Sequence, residues 1–165
     1  MNEQEQFWKE FTDLKTQGYY LNYYHISTGR HDVSIEAFLA VAAVSSIGSW
    51  AAFQVYPLLW GGIIAASQVI HAVKPFFPYK KRLESIGGLS LDLAPLLLIC
   101  EDDWYRISTG ELTPSEIHAR RMKVKRAVID AVRKHFGPKP LPTNDSCLQK
   151  AIADAHSYFT SYYGS

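Results

Sequence analysis

Apolar and polar positions follow a helical period along most of this chain, but between Ala37 and Val73 the polar positions lose every Asp, Glu, Lys and Arg. Before that stretch, Phe7, Trp8, Phe11 and Leu14 share one face while Lys9, Glu10, Asp13 and Lys15 lie elsewhere. This spacing predicts an amphipathic helix that ends near Gly18. Tyr19, Tyr20, Tyr23 and Tyr24 then precede a turn-like Ser27-Thr28-Gly29-Arg30, and such tyrosines suit either a headgroup interface or a packed core. The uncharged stretch is broken by Pro57. A spanning helix takes about 20 apolar residues, with a lower limit of about 17, so division at Gln54-Val55-Tyr56-Pro57 predicts two crossings, the second one short. Arg30 stands before the first crossing, and Lys74, Lys80, Lys81 and Arg82 follow the second. With no charge in the connecting turn, both ends are expected on the cytosolic side. Trp50, Tyr56 and Trp60 near the turn, and Phe76, Phe77 and Tyr79 near the basic end, fit two interfacial belts.

Past the hairpin, Pro75 and Pro78 are expected to stop the second crossing. Leu89, Leu93, Leu96, Leu97, Cys100, Trp104 and Ile107 then keep a helical period, with Pro95 at its first turn or at a kink and Gly110 as its stop. Thr113, Pro114 and Glu116 form a capping box with proline at the first helical position. The helix they begin carries Ile117, Val124, Val128 and Val132 on its apolar side and ends at Gly137-Pro138. A last helix from about Asn144 places Leu148, Ile152, Ala155, Phe159 and Tyr162 on one face. The predicted architecture is all-α: an N-terminal amphipathic region (1–33), a two-helix transmembrane hairpin (34–79) and a C-terminal cytosolic helical domain (80–165).

Polar residues inside the uncharged stretch open a second reading. Ser45, Ser46, Gly48, Ser49, Ser67, Gln68 and His71 make it less greasy than a single-pass anchor. The chain is also long enough to bury one sizeable core, so a soluble cytoplasmic bundle could enclose the same hairpin. Seventeen Lys and Arg against sixteen Asp and Glu leave a net charge of +1, which removes any global basic field and with it the expectation of DNA binding. Cys100 and Cys147 are too sparse for a disulfide framework and read as reduced thiols packed as small apolar residues. The opening residues are polar, without the apolar core of a secretory signal.

Two constellations are candidates for binding. Arg120, Arg121, Lys123, Lys125 and Arg126 crowd one helix, and Lys80, Lys81 and Arg82 sit at the hairpin exit. They suit phosphate oxygens, as lipid headgroups or a nucleotide, and equally a solvated face paired with acids. Within the hairpin, Ser45 and Ser49, Gly61 and Ala65, and Gly62 and Ala66 are each four residues apart. Such small residues let helices approach, within one hairpin or between protomers, and Ser67, Gln68 and His71 would face a partner helix or a pore. Glu101, Asp102 and Asp103 are adjacent and point apart, at about 100° per residue. No metal, cofactor or catalytic constellation is recognised, so no enzyme is predicted.

The order of elements, with Glu101-Asp102-Asp103-Trp104-Tyr105-Arg106 followed by Gly110-Glu111-Leu112-Thr113-Pro114-Ser115-Glu116-Ile117, resembles the SLATT-type two-transmembrane proteins of bacterial conflict systems. The resemblance implies a non-enzymatic anti-phage effector that oligomerises and perturbs the inner membrane when its cytosolic region receives a signal. Its implied partners are the lipid bilayer, further copies of itself, and a nucleotide second messenger or a partner protein. The alternatives are a soluble helical adaptor and a membrane-anchored nucleotide sensor.

Overall fold

A computed structural model of the chain describes residues 2–48, 57–73, 79–138, 140 and 143–164. Among them are five helices, α1 (Glu3–Gly48), α2 (Pro57–Val73), α3 (Tyr79–Ser108), α4 (Pro114–Phe136) and α5 (Asp145–Tyr163), and no strand. The all-α expectation holds. The chain divides into two compact units, one of residues 1–26 with 84–165 and one of residues 27–83. The expected turn at Gln54-Val55-Tyr56, with Ser49, Trp50, Lys74, Phe76 and Phe77, lies outside the described residues.

Gly18 does not end the first helix, because α1 runs through it and through Ser27-Thr28-Gly29-Arg30 to Gly48. The glycine serves close packing instead. A Cβ there would stand 3.3 Å from Leu97 Cδ1, so α1 and α3 approach at this point over a residue with no side chain. Pro95 likewise lies in the interior of α3 and not at its start. Its missing N–H leaves the Leu91 carbonyl without an intrahelical donor, and both residues are exposed, where water can satisfy it.

The local stop and start signals behave as their chemistry requires. After α3, the N–H of Gly110 donates to the Ile107 carbonyl and that of Glu111 to the Arg106 carbonyl, with Gly110 at φ +76°. That is a Schellman closure, and the left-handed conformation favours glycine. Thr113 Oγ1 accepts from the Glu116 N–H at 3.4 Å while Glu116 Oε2 accepts from the Thr113 N–H at 2.8 Å. This reciprocal box, with Pro114 following, starts α4, and Gly137 at φ +59° stops it. Asn144 caps α5 by accepting from the Cys147 N–H at 3.1 Å.

The first unit is built round α3. Phe7, Phe11, Leu14 and Leu21 of α1 pack with Ile86, Leu89, Leu93, Cys100 and Ile107 of α3, Ile117 and Ala131 of α4, and Cys147, Ala151 and Phe159 of α5. Burying each of the larger side chains contributes about 1.5–3 kcal/mol. An aromatic cluster joins three helices, with Trp8 4.5 Å from Trp104 and 4.9 Å from Phe159 between ring centres, and Phe11 5.1 Å from Phe159. The four tyrosines also belong here. Tyr20 and Tyr24 are buried, Tyr20 accepts from the Asn144 N–H at 3.0 Å, and Tyr23 donates to Asp154. They are core tyrosines.

The buried face of α5 is offset from the expected one. Cys147, Ala151, Ala155 and Phe159 point inward, whereas Leu148, Ile152 and Tyr162 are exposed. Small side chains bring α5 close to its neighbours, and close backbone approach outweighs the burial of larger residues one position away. Both cysteines are buried and unpaired, as expected.

Candidate functional site: an apolar unit and a basic helix

The second unit leaves most of its described apolar side chains exposed. In α2, Leu58 is 92% and Val69 61% exposed, and in the adjoining part of α1 Val33 and Val41 are each 66% exposed. Phe38, Ile64 and Val73 are exposed as well. Among its described side chains only Thr28, Leu39 and Ser67 are buried. An uncharged helix that presents valine, leucine and isoleucine outward forms an apolar surface of the kind that marks a membrane or protein contact.

Length separates the helices. Among the described residues one helix, Lys80–Ser108 within α3, is long and apolar enough to cross a membrane, with a mean hydropathy of 1.6 over its best window. Only 22% of that window is buried, because Leu91, Leu98 and Ile99 face outward while the opposite face forms the core of the first unit. Helix α2, at 17 residues, is shorter, about 25 Å against a hydrocarbon core of about 30 Å. The first expected crossing runs beyond Gly48 into residues outside the description.

The polar residues of α2 take distinct positions. Ser67 is buried, and its hydroxyl donates to the Ile64 carbonyl at 2.8 Å, which satisfies it within its own helix. Gln68 and His71 are exposed, and Gln68 falls on one stripe with Gly61, Ala65 and Ala72 at helical spacing. Gly61 and Gly62 are exposed too, and an added Cβ at either would meet nothing within 4 Å among the described residues. The side chain of Ser45 lies outside the described set.

The basic helix α4 divides its cations. Arg120 is paired with Asp103, whose side chain is only 3% exposed. Arg121, 12% exposed, reaches Gln6, Glu3 Oε2 at 3.5 Å and Glu10 Oε1 at 3.9 Å from three successive turns of α1. Lys125 Nζ lies 3.3 Å from Glu10 Oε1. These three hold the bundle together. Lys123 and Arg126 are exposed and make no ion pair with another described residue, as does Arg133 further along the same helix. Lys80, Lys81 and Arg82, at the start of α3, are exposed.

The acids of α3 diverge as their spacing requires. Glu101 accepts from Lys15 at 3.1 Å and from Tyr158 at 2.7 Å, Asp102 is exposed, and Asp103 turns to Arg120. Burial opposes ionisation of Glu101, but the Tyr158 and Lys15 hydrogen bonds outweigh it and hold the carboxyl below its usual range. Asp92 is also held low, by hydrogen bonds from Lys134 and then His135, each at 2.8 Å. Burial pushes the Cys100 thiol up to about 12, aided by the charges of Asp103 and Glu101, so it is an inert packing group.

Sequence reasoning grouped all the α4 cations as one patch; the distinction between bonded and free ones depends on which acids α1 and α3 bring opposite. The one legible signal was the Glu3, Gln6, Glu10 spacing, which matches one helical face. No protein-family model, curated protein or solved structure matches this chain.

Proposed function

We propose that the chain is a non-enzymatic membrane effector whose residues 34–79 enter the bilayer as a hairpin while the unit of residues 1–26 and 84–165 stays in water as its receiving region. The observation that carries this reading is the apolar surface that α2 and the adjoining part of α1 turn outward along the uncharged stretch 37–73, whereas the first unit encloses a core of Phe7, Phe11, Leu21, Leu89 and Ile107. Helix α3 passes the length test for a span, but it supplies the core of the aqueous unit and bonds Asp92, Glu101 and Asp103 to neighbouring helices. Residues 34–79 are the membrane-seeking part in this reading, as a hairpin with both flanks cytosolic and the short α2 accommodated by local thinning of the bilayer. The small-residue stripe of α2 gives copies a surface on which to associate, and its Gln68 finds a polar partner there. The resemblance to SLATT-type proteins supplies the biological setting, an effector of the bacterial inner membrane acting in anti-phage defence.

Fractionation tests the first step. The full chain is expected in the membrane pellet, resistant to alkaline carbonate and released by detergent. Topology is read by cysteine labelling with an impermeant reagent in intact cells. Cys147 is buried, so its protection reports folding and not sidedness. Gln54→Cys is expected to react from outside and the exposed Ser161→Cys to be protected until cells are opened. Recovery of the chain in the soluble fraction sinks the proposal and leaves a soluble helical adaptor.

A further inference from the structure

Between α1 and α5 lies an open cleft of about 310 Å³, lined by Tyr19 of α1 and by Asp154, Ser157, Tyr158, Ser161 and Tyr162 of α5. Asp154, Tyr158 and Tyr162 stand four residues apart and so form one stripe along α5. The Tyr158 and Tyr162 ring centres are 4.8 Å apart with their planes tilted by 40°, so the pair does not close into a parallel stack. Tyr162 is 74% exposed, which leaves ring surface uncovered beside the carboxylate.

That carboxylate lacks a counter-charge. Asp154 is half-buried, accepts from the Tyr23 hydroxyl, and pairs with no Lys, Arg or His among the described residues. Lys150, one turn earlier on α5, is exposed and makes no ion pair with it. The other charges at this end of the helix cancel, since Lys15 Nζ lies 3.1 Å from Glu101. One negative charge therefore remains at the cleft, and charges withdrawn from water call for a partner. An anion would meet that charge, and a neutral ligand would leave it unmatched. The rings suit a cation as well: Lys15 Nζ already sits 3.8 Å from the centre of the Tyr158 ring.

Hydration selects among cations. A primary ammonium is compact and strongly hydrated, and in an open cleft it keeps its water. An alkylated one presents its charge through carbon that can lie on aromatic faces. Three tyrosine rings about a single carboxylate match the second kind. We propose that the cleft binds a small alkylated ammonium ion, its methyl groups against Tyr19 and Tyr162 and its charge toward Asp154. The site lies wholly in the first unit, so it does not depend on where residues 34–79 reside.

The test uses the full chain in a detergent without an ammonium headgroup and three probes: choline, its uncharged carbon isostere 3,3-dimethylbutan-1-ol, and methyl glucoside. Binding is read by saturation-transfer NMR of the probe protons. Choline is expected to bind saturably and at least about tenfold more tightly than the isostere, a difference of 1.4 kcal/mol. Asp154→Asn, which keeps an acceptor for Tyr23 and removes the charge, is expected to lower choline affinity about tenfold, and Tyr162→Ala by several fold. Tyr162→Phe, which keeps the ring, is expected to bind as the native chain does. Should Asp154→Asn loosen the fold, the exposed Tyr162 pair carries the test. Absence of saturable choline binding, equal binding of the isostere, tighter binding of the glucoside, or binding indifferent to Tyr162→Ala each overturns the proposal. The probes do not report membrane insertion, so their failure leaves the membrane reading standing, and recovery of the chain in the soluble fraction leaves this site standing.

Discussion

The two units of this chain solve the same problem in opposite directions. Residues 1–26 with 84–165 turn Phe7, Phe11, Leu21, Leu89 and Ile107 inward and tie the helices with Lys15, Arg120 and Arg121; residues 27–83 turn Val33, Val41, Leu58 and Val69 outward and carry no charge from Ala37 to Val73. Both are helical, so secondary structure does not separate them. The difference lies in which solvent each surface suits, and it predicts that one substitution chemistry will have opposite effects in the two places.

Truncation gives the largest contrast. Phe11→Ala empties the centre of the aromatic cluster and is expected to cost about 3–5 kcal/mol of unfolding free energy. Leu58→Ala, at a residue that packs on nothing in the described chain, should change that free energy by less than about 0.5 kcal/mol. Denaturant titration followed by circular dichroism checks both. Equal losses would mean that Leu58 has a protein partner.

Introducing a charge inverts the ranking. Val69→Arg should leave the folding of the first unit intact but oppose insertion by about 2.5–3.5 kcal/mol, read as chain moving from pellet to supernatant. Unchanged membrane recovery would remove α2 from the lipid.

The basic helix offers a finer version of the same contrast, between cations that bind the fold and cations that do not. Lys123→Glu with Arg126→Glu should leave stability within about 0.5 kcal/mol, because neither residue is paired with another described residue. Binding to vesicles rich in phosphatidylglycerol is expected to fall, with a salt dependence set by a screening length of about 8 Å. Arg121→Glu puts a third acid against Glu3 and Glu10 in a nearly buried place and should destabilise the bundle by about 3–5 kcal/mol. A loss of vesicle binding in that variant would therefore report unfolding.

Acid gives the smallest and most gradual effect. Asp92, Glu101 and Glu116 are all held below their usual range, Asp92 by Lys134 and His135, Glu101 by Tyr158 and Lys15 against the opposing effect of burial, and Glu116 by the Thr113 backbone. A carboxyl lowered in the folded state contributes stability that is full above its unfolded value, near 4, and is lost as pH falls through the folded one. Melting temperature of the first unit should thus be flat from neutral pH to about 5 and decline below about 4. Glu116→Gln should shorten that decline.

How much of this was readable in advance depended on the range of the interaction. The Thr113 box, Gly137 and Asn144 were legible because both partners of each hydrogen bond lie within four residues. Phe7, Phe11 and Leu14 were legible because their period matches one face. Gly18 was misread as a stop because its reason is Leu97, on another helix. The face of α5 was misplaced for the same cause: Leu148 and Ile152 are the more hydrophobic residues, yet Ala151 and Ala155 allow the closer approach. Of the candidate site residues, spacing located the cations of α4, but only the acids of α1 and α3 decide which remain free.

The first unit is assembled from the two flanks of the second, and that order matters during synthesis. Phe11 must wait for Phe159, and at about 5–20 residues per second the wait is roughly 7–30 s. For the later part of it the apolar stretch 37–73 is already synthesised while the bundle that would fold around the start of α1 does not yet exist. During that interval the nascent chain is an unfolded tether with an apolar middle. Targeting and folding are in this way set in sequence by topology alone, with long-range pairing coming last.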